Sequence, residues 1–287
     1  MRFFIKETLY CVKRLSLINN VLKSGVILRF IVLTSVFIFL WLMSCGEVIC
    51  FELEFPRNGV WSMSIPILVD WYSLIFFLVV LTISFCVIVY RVSYIQHEVY
   101  LKRFGDLVIL FVLSIRIYVF VPNFVGLIIG WDGLGLVSFL LVIYYRDHSS
   151  LIAGKRTFLT NRVGDAMLIL RLGLIIEFST WGYIDLEEQL LGFFLVGLVV
   201  VGRTTKSAQF PFRAWLPDAI AAPTPVSALV HSSTLVTAGV FILIRFSGCF
   251  NGFWSIYLLR VAGFTVVWAG IVGFNCIDLK KLVAFST

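Results

Sequence analysis

Apolar stretches long enough to cross a membrane recur along nearly the whole chain. Of its residues, 60% are hydrophobic and only 14% are charged. A hydrocarbon core about 30 Å thick requires roughly 20 apolar residues in a helix, and backbone groups in lipid must be hydrogen-bonded within their own segment. The sequence therefore predicts an all-α membrane protein, a transmembrane bundle of about eight helices. The predicted spans are Val26–Met43, Leu68–Val92, Phe104–Val121, Asn123–Tyr145, Arg162–Phe178, Leu190–Gln209, Val226–Phe246 and Trp254–Phe274.

Cysteine spacing and charge argue against two classes of site. The six cysteines show no Cys-x-x-Cys spacing, so no zinc or iron–sulfur site is predicted in this chain. The formal net charge is +7, but the basic residues are scattered through loops and helices, which favours a membrane-surface role over nucleic-acid binding. Acidic or neutral loops alternate with basic ones, which predicts that the basic amino-terminal arm lies on the inner side.

The predicted span Asn123–Tyr145 carries a carboxylate, Asp132, about a third of the way along its length. A carboxylate at membrane depth must be paired, hydrated or protonated, and such residues commonly mark ion or proton paths. We interpret Asp132 as functional; the alternative is that it caps a helix break. Small residues on the same helix predict close approach of a neighbouring helix. They are Gly126, Gly130, Gly133 and Gly135.

A second acid, Asp165, lies near the predicted start of the fifth span, three residues after Arg162. Acidic residues in the first turn of a helix are common because they complement the helix dipole. A capping role and a functional role for Asp165 therefore both stand. Arg162 is either its ion partner or a loop anchor.

Lys206 is the most informative residue of the chain. A desolvated lysine can release its proton more readily than an arginine, so it can act as a relay as well as a fixed charge. Pro211 and Pro217 predict a broken helix after Lys206, and broken helices surround ion sites in many transporters. We interpret Lys206 as functional; the alternative is that it snorkels to the membrane interface.

His231 is a further candidate for proton exchange, because an unperturbed imidazole has a pKa of about 6.5. It is followed by Ser232, Ser233 and Thr234, whose hydroxyls can hydrogen-bond the imidazole or hold water. Hydroxyl side chains also join membrane helices without any chemical role. The sequence shows no hydrolytic triad, phosphate loop or metal-ligand cluster, so covalent chemistry is not predicted.

Several of these residues lie in longer motifs. The motifs are Gly130-Trp131-Asp132-Gly133-Leu134-Gly135, Asn161-Arg162-Val163-Gly164-Asp165, Lys206-Ser207-Ala208-Gln209, the run from Trp215 to Thr234, and Asp278-Leu279-Lys280-Lys281. Together they resemble one family, the chain 5 family of antiporter-like subunits of mitochondrial NADH–ubiquinone oxidoreductase, respiratory complex I. The resemblance covers roughly residues 50–287 and is most specific over residues 206–246.

The resemblance implies a proton-translocating subunit of NADH:ubiquinone reductase in the mitochondrial inner membrane. It implies no redox centre and no bound cofactor in this chain: NADH, FMN, iron–sulfur clusters and ubiquinone would belong to partner subunits of the complex. The family's acid–lysine pair maps onto Asp132 and Lys206, although the family often has glutamate at the first position. Its second acid maps onto Asp165 and its relay histidine onto His231.

We predict three parts of the chain. Residues 1–25 form a basic extension without a clear counterpart in the family, residues 26–121 form the amino-terminal helices, and the resemblance implies that residues 122–287 form the proton-translocating helices. Since the family continues through further helices, we expect this sequence to be a fragment or a truncated or split product. Two other interpretations stand: a subunit of a multi-subunit cation/proton antiporter, which shares the lysine–acid–histidine pattern, and a structural membrane scaffold.

Four arginines stand where the family would accept serine: Arg116, Arg171, Arg213 and Arg260. An unpaired guanidinium inside an apolar helix costs several kcal/mol. Some animal mitochondrial codes read AGA and AGG as serine and ATA as methionine, and the chain has only four methionines. Either these arginines are accommodated as such, or the sequence reflects translation with the wrong genetic code.

Overall fold

The computed structural model describes residues 34–36, 39–40, 48–54, 64–94, 101–177, 190–219, 222–250 and 252–287. The predicted first span, Val26–Met43, therefore lies almost entirely outside the described residues. The chain divides into two compact units, residues 1–130 and 131–287. The boundary between them falls within one helix, which contributes its first turns to the first unit and the rest to the second.

In the first unit, the structure describes short helical stretches at residues 34–36 and 39–40, then a β-hairpin, then longer helices. Strands β1 (Ile49–Glu54) and β2 (Ser64–Val69) pair antiparallel, with Phe51 opposite Ile67. The helices are α1 (Trp71–Tyr94), α2 (Leu101–Phe120) and the first turns of α3 (Phe124–Val142).

At the start of helix α1, the Ser73 hydroxyl bonds both backbone groups of Asp70, the residue before Trp71. The Ser73 hydroxyl donates to the Asp70 carbonyl at 2.6 Å, and the Asp70 N–H donates to Ser73 Oγ at 2.9 Å. Such a cap satisfies backbone groups that a helix start otherwise leaves unpaired. The polar pair Asp70 and Ser73 thus sets where the strand ends and the helix starts.

The second unit contains the remaining helices, and its core lies where they pack on each other. Helix α4 (His148–Glu177) packs on α5 (Leu190–Lys206), and α5 packs on α7 (Thr224–Arg245). A four-residue helix, α6 (Trp215–Asp218), lies between α5 and α7 along the chain. The last two helices are α8 (Gly252–Phe274) and α9 (Leu279–Ser286).

The class predicted from the sequence is confirmed, because the described residues are mostly helical and the apolar runs form long helices. Four of these helices are long and apolar enough to cross a membrane, by length and composition. They correspond to the second, fourth, seventh and eighth predicted spans. Two features differ from the prediction, the β-hairpin and the start of α4.

The hairpin was not predicted, and its second strand overlaps the start of the predicted span Leu68–Val92. The apolar run there contains two elements, because β2 ends at Val69 and the Asp70 cap starts α1. Hydropathy alone cannot separate a short apolar strand from the helix that follows it.

Helix α4 begins at His148, well before the predicted start at Arg162. Its first half is polar, so a hydropathy criterion excludes it although it is helical. Hydroxyl groups there bond to carbonyls of the same helix, as Thr157 Oγ1 does to Gly154 O at 2.8 Å. Arg156 also pairs with Asp218 of α6 at 2.7 Å, so the polar half of α4 has its own tertiary contact.

The four arginines in question occupy two kinds of environment. Arg116 of α2 and Arg260 of α8 are exposed on apolar helices. Arg171 is buried, with its guanidinium 4.8 Å from the ring centre of Phe246, and the guanidinium of Arg213 lies against the ring of Trp268. Aromatic faces attract guanidinium groups, so Arg171 and Arg213 have partners. The genetic-code interpretation stays a prediction.

Candidate proton site

Lys206, the last residue of α5, is fully buried, with 0% of its surface exposed. Its ammonium nitrogen donates a hydrogen bond to the carbonyl oxygen of Trp131 in α3. The same nitrogen lies 3.9 Å from the centre of the Trp131 ring. The side chain is therefore directed into the second unit, and the snorkelling alternative does not describe it.

Helix α5 ends at Lys206 through a motif that reverses the backbone. Ala208 adopts a left-handed conformation, with φ of 52°, and the Gln209 N–H donates to the Thr204 carbonyl at 3.1 Å. This is the Schellman arrangement, in which the left-handed position is usually glycine. The predicted break after Lys206 is thus confirmed, and it is fixed by the backbone at residues 204–209.

The two prolines expected to support the break lie beyond it. Pro211 follows in the turn region and Pro217 lies within α6. Trp215, also in α6, is buried, and its indole N–H donates to the Thr205 carbonyl at 2.9 Å. Carbonyl groups at the end of a helix lack hydrogen-bond partners within that helix. The Trp215 indole supplies such a partner to Thr205, and this bond joins α6 to the end of α5 next to Lys206.

Asp165 is a buried residue in the interior of α4, with 7% of its side chain exposed. Its Oδ1 accepts a hydrogen bond of 2.8 Å from the indole N–H of Trp131, and its Oδ2 lies 3.6 Å from Nη1 of Arg162. A capping role for Asp165 is wrong, because α4 begins seventeen residues earlier, at His148. The carboxylate instead faces α3.

Asp132 and Arg162 form the outer part of the same cluster. Nη1 of Arg162 lies 3.0 Å from Oδ1 of Asp132, and the two side chains are 39% and 37% exposed. Since the same Nη1 also approaches Asp165, one guanidinium serves both carboxylates. Arg162 lies within α4 and is an ion partner of both carboxylates, so it is not a loop anchor.

The pairing of Lys206 with an acid differs from the expected one. Within the described residues, no carboxylate oxygen lies within 4.0 Å of the Lys206 ammonium. Both acids interact with it electrostatically, and Asp165 does so more strongly than Asp132. The expected pair of Asp132 and Lys206 is thus not in direct ion-pair contact, and neither is the pair of Asp165 and Lys206.

Close packing of α4 on α5 brings these groups together. A Cβ added at Gly164 would meet the hydroxyl of Thr205 and would lie 2.7 Å from the carbonyl oxygen of Gly202. Glycines at such crossings let two helix backbones approach closely. Gly164 adjoins Asp165 and Thr205 adjoins Lys206, so this crossing sets the separation of the acid and the amine.

His231 lies on a π-helical segment, Ser227–Thr234, within α7. Its side chain and those of Ser232 and Ser233 lie outside the described residues, so their predicted roles stay predictions. Thr234 is buried, and its hydroxyl donates to the Leu229 carbonyl at 2.7 Å. The Thr234 hydroxyl therefore stabilises the widened helix. Such π segments are frequent at functional sites.

Sequence reasoning missed Trp131, which contacts both Lys206 and Asp165. One signal was available: the residue precedes an intramembrane carboxylate in Gly130-Trp131-Asp132. Its indole contacts are tertiary, however, and no periodicity of a single helix encodes them. Within the part of the chain that the structure describes, no group of three or more His, Cys, Asp or Glu residues is arranged to hold a metal ion.

Two family models match the chain. The family described as NADH:quinone oxidoreductase/Mrp antiporter, TM, matches residues 122–287. The family described as NADH-Ubiquinone oxidoreductase (complex I), chain 5 N-terminus, matches residues 57–105. The first match contains the whole cluster of Asp132, Arg162, Asp165 and Lys206.

Individual relatives with similar sequences support these family matches. NADH-ubiquinone oxidoreductase chain 5 of Anopheles arabiensis is 42% identical over 274 residues, which cover 91% of this chain and 70% of that protein. The protein of the same name from Anopheles gambiae is also 42% identical over 274 residues, 91% of this chain and 47% of the relative. The chain thus spans about half the length of several curated relatives.

A solved structure shows the same helical architecture. A chain of the Mrp complex from Dietzia sp. superposes with a TM-score of 0.76 at 26% identity, covering 88% of this chain and 28% of the other. The chain is therefore a membrane protein with an antiporter-like arrangement of helices.

Proposed function

Because the chain belongs to the NADH-ubiquinone oxidoreductase chain 5 family of antiporter-like membrane subunits, we propose that it carries protons through the membrane arm of respiratory complex I. NADH oxidation and ubiquinone reduction would take place in partner subunits, which would hold the FMN and the iron–sulfur clusters. The chain itself would bind no cofactor. The corresponding membrane is the mitochondrial inner membrane, since the matching relatives are animal proteins of this complex.

The burial of Lys206 is the observation that carries the proposal. A primary amine that is wholly removed from solvent, near two carboxylates and a guanidinium, is costly in an apolar protein and serves stability poorly. Ionisable groups at such positions are often those that exchange protons or bind ions. Lys206 can also exist in two protonation states, whereas Arg162 stays protonated.

The geometry supports a mechanism in which charge moves along the cluster. Arg162 can shift its guanidinium between Asp132 and Asp165, because one nitrogen already lies near both. A shift toward Asp132 would leave Asp165 less compensated and change its attraction for the Lys206 ammonium. Proton uptake and release by Lys206 would then follow, with onward transfer through bound water toward His231.

The test is replacement of Lys206 by alanine in the assembled complex. We expect NADH-driven ubiquinone reduction to continue with fewer protons moved per NADH, because the share carried by this subunit is lost. The matched control is Lys155→Ala, which removes an exposed lysine of α4 and should leave the ratio unchanged. Full pumping by the Lys206→Ala complex would refute the proposal.

A cation/proton antiporter subunit is the second candidate, since the likeness to the Mrp complex favours it. The two functions differ in their ion dependence. An antiporter subunit would exchange sodium for protons when a sodium gradient is imposed in the absence of NADH. Proton movement that requires NADH oxidation and is independent of sodium would favour the complex I function.

A further inference from the structure

Trp131 makes three contacts with two titratable side chains of the cluster. Its indole N–H donates to Asp165 Oδ1 at 2.8 Å, its ring face lies 3.9 Å from the Lys206 ammonium, and its carbonyl oxygen accepts a hydrogen bond from the same ammonium. The side chain is 1% exposed. One residue thus touches both the buried acid and the buried amine.

We propose that Trp131 is a positioning residue that holds Lys206 and Asp165 in a fixed relation for proton exchange. This inference rests on the proposed function and assigns a role to a residue that does not itself titrate. An indole N–H only donates hydrogen bonds, so Trp131 cannot relay a proton between the two groups. It can orient the carboxyl through the N–H and the ammonium through the ring.

The ring contact complements the backbone contact. In an α-helix, a carbonyl oxygen accepts a hydrogen bond from the amide N–H four residues later in the chain. The Lys206 ammonium therefore uses the second lone pair of the Trp131 carbonyl oxygen. An ammonium has three donors and is attracted to the face of an indole, which is the most effective aromatic partner for a cation. Among the described residues, one hydrogen-bond acceptor contacts the Lys206 ammonium, so the ring helps to set the direction of its end group.

A second buried tryptophan of the chain provides a matched control for loss of the indole N–H. Trp215 is as buried as Trp131, and its indole N–H donates to the Thr205 carbonyl, one residue before Lys206. It therefore shares the burial, the ring size and the neighbourhood of Trp131. Its N–H holds a backbone group, however, and not a carboxyl group.

The experiment measures protons moved per NADH oxidised in assembled complexes, normalised to the amount of complex. Trp131→Phe keeps a ring beside Lys206 but removes the indole N–H from Asp165, which retains its contact with Arg162. We therefore expect the ratio to fall by part of the amount by which Lys206→Ala lowers it. Trp131→Leu removes both side-chain contacts, so we expect the number of protons moved per NADH to fall as far as it does in Lys206→Ala. Trp215→Phe should leave the ratio unchanged, even if it lowers the amount of complex.

Distinct outcomes separate the two proposals. If Lys206→Ala lowers the ratio but Trp131→Phe and Trp131→Leu do not, the positioning role is wrong and the proposed function survives. If Trp215→Phe lowers the ratio as much as Trp131→Phe, the effect is one of packing and the positioning role is again wrong. If Lys206→Ala changes nothing, the proposed function itself fails. Should the leucine variant not assemble, the phenylalanine variant decides alone, since it retains the packing of a ring.

Discussion

Lys206 is surrounded by groups that accommodate an ammonium without neutralising it. It contacts a carbonyl oxygen and an aromatic face, and its acids lie beyond direct ion-pair distance. A tight ion pair would hold the proton on the lysine, because separating opposite charges in a low dielectric is expensive. In the proposed mechanism, partners at longer range would leave the amine able to respond if Arg162 moved between Asp132 and Asp165.

Exposed arginine side chains on apolar helices lead to a second prediction about individual residues. Arg116 and Arg260 are exposed on apolar helices, where guanidinium groups facing lipid are costly. We expect AGA or AGG codons for these two, which some animal mitochondrial codes read as serine. Sequencing the coding DNA checks this, and CGN codons at these positions would end the genetic-code interpretation.

At the scale of elements, the crossing of α4 and α5 is what assembles the cluster. Gly164 and Gly202 face each other there, and the backbone of each helix fills the space that a side chain would need. Packing at this density transmits a displacement of one helix directly to the other. The glycines next to Asp165 and near Lys206 therefore bear on function although they carry no chemistry.

Replacement of Gly164 by alanine should separate the two helices. The added methyl would meet Thr205 and the Gly202 carbonyl, and overpacking of this kind costs about 1–3 kcal/mol. We expect faster thermal inactivation of the assembled complex and fewer protons per NADH. Gly173→Ala in the same helix has open space around it and should be neutral or stabilising by about 0.5–1 kcal/mol. Equal behaviour of the two variants would contradict the role of the crossing.

The long apolar helices and the break after Lys206 could be predicted because both depend on local sequence. Apolar runs set the helices, and the change from Lys206 to the proline-containing stretch marks the end of α5. The start of α4 could not be predicted from hydropathy, since Thr157 and Arg156 are helical but polar. Asp165 was consequently placed in a first turn. The indole contacts of Trp131 join α3 to α4 and α5, and only the tertiary structure shows them.

At the scale of the whole molecule, the cluster lies entirely within the second unit, residues 131–287. Within that unit, α8 has no buried residue among Gly252–Phe274, so its apolar surface is available to lipid or to other protein. The chain spans about half the length of several relatives. Under the proposed function, local exchange of protons at Lys206 would be the part that this chain contributes to a larger assembly.

Replacement of Lys206 by arginine distinguishes a side chain that exchanges protons from one that serves only as a fixed positive charge. Arginine preserves the positive charge and the attraction to the Trp131 ring, but it does not release its proton in proteins. If Lys206 exchanges protons, the assembled Lys206→Arg complex will move as few protons per NADH as the alanine variant. A ratio equal to that of the unaltered complex would show that a fixed positive charge suffices, and would contradict the account.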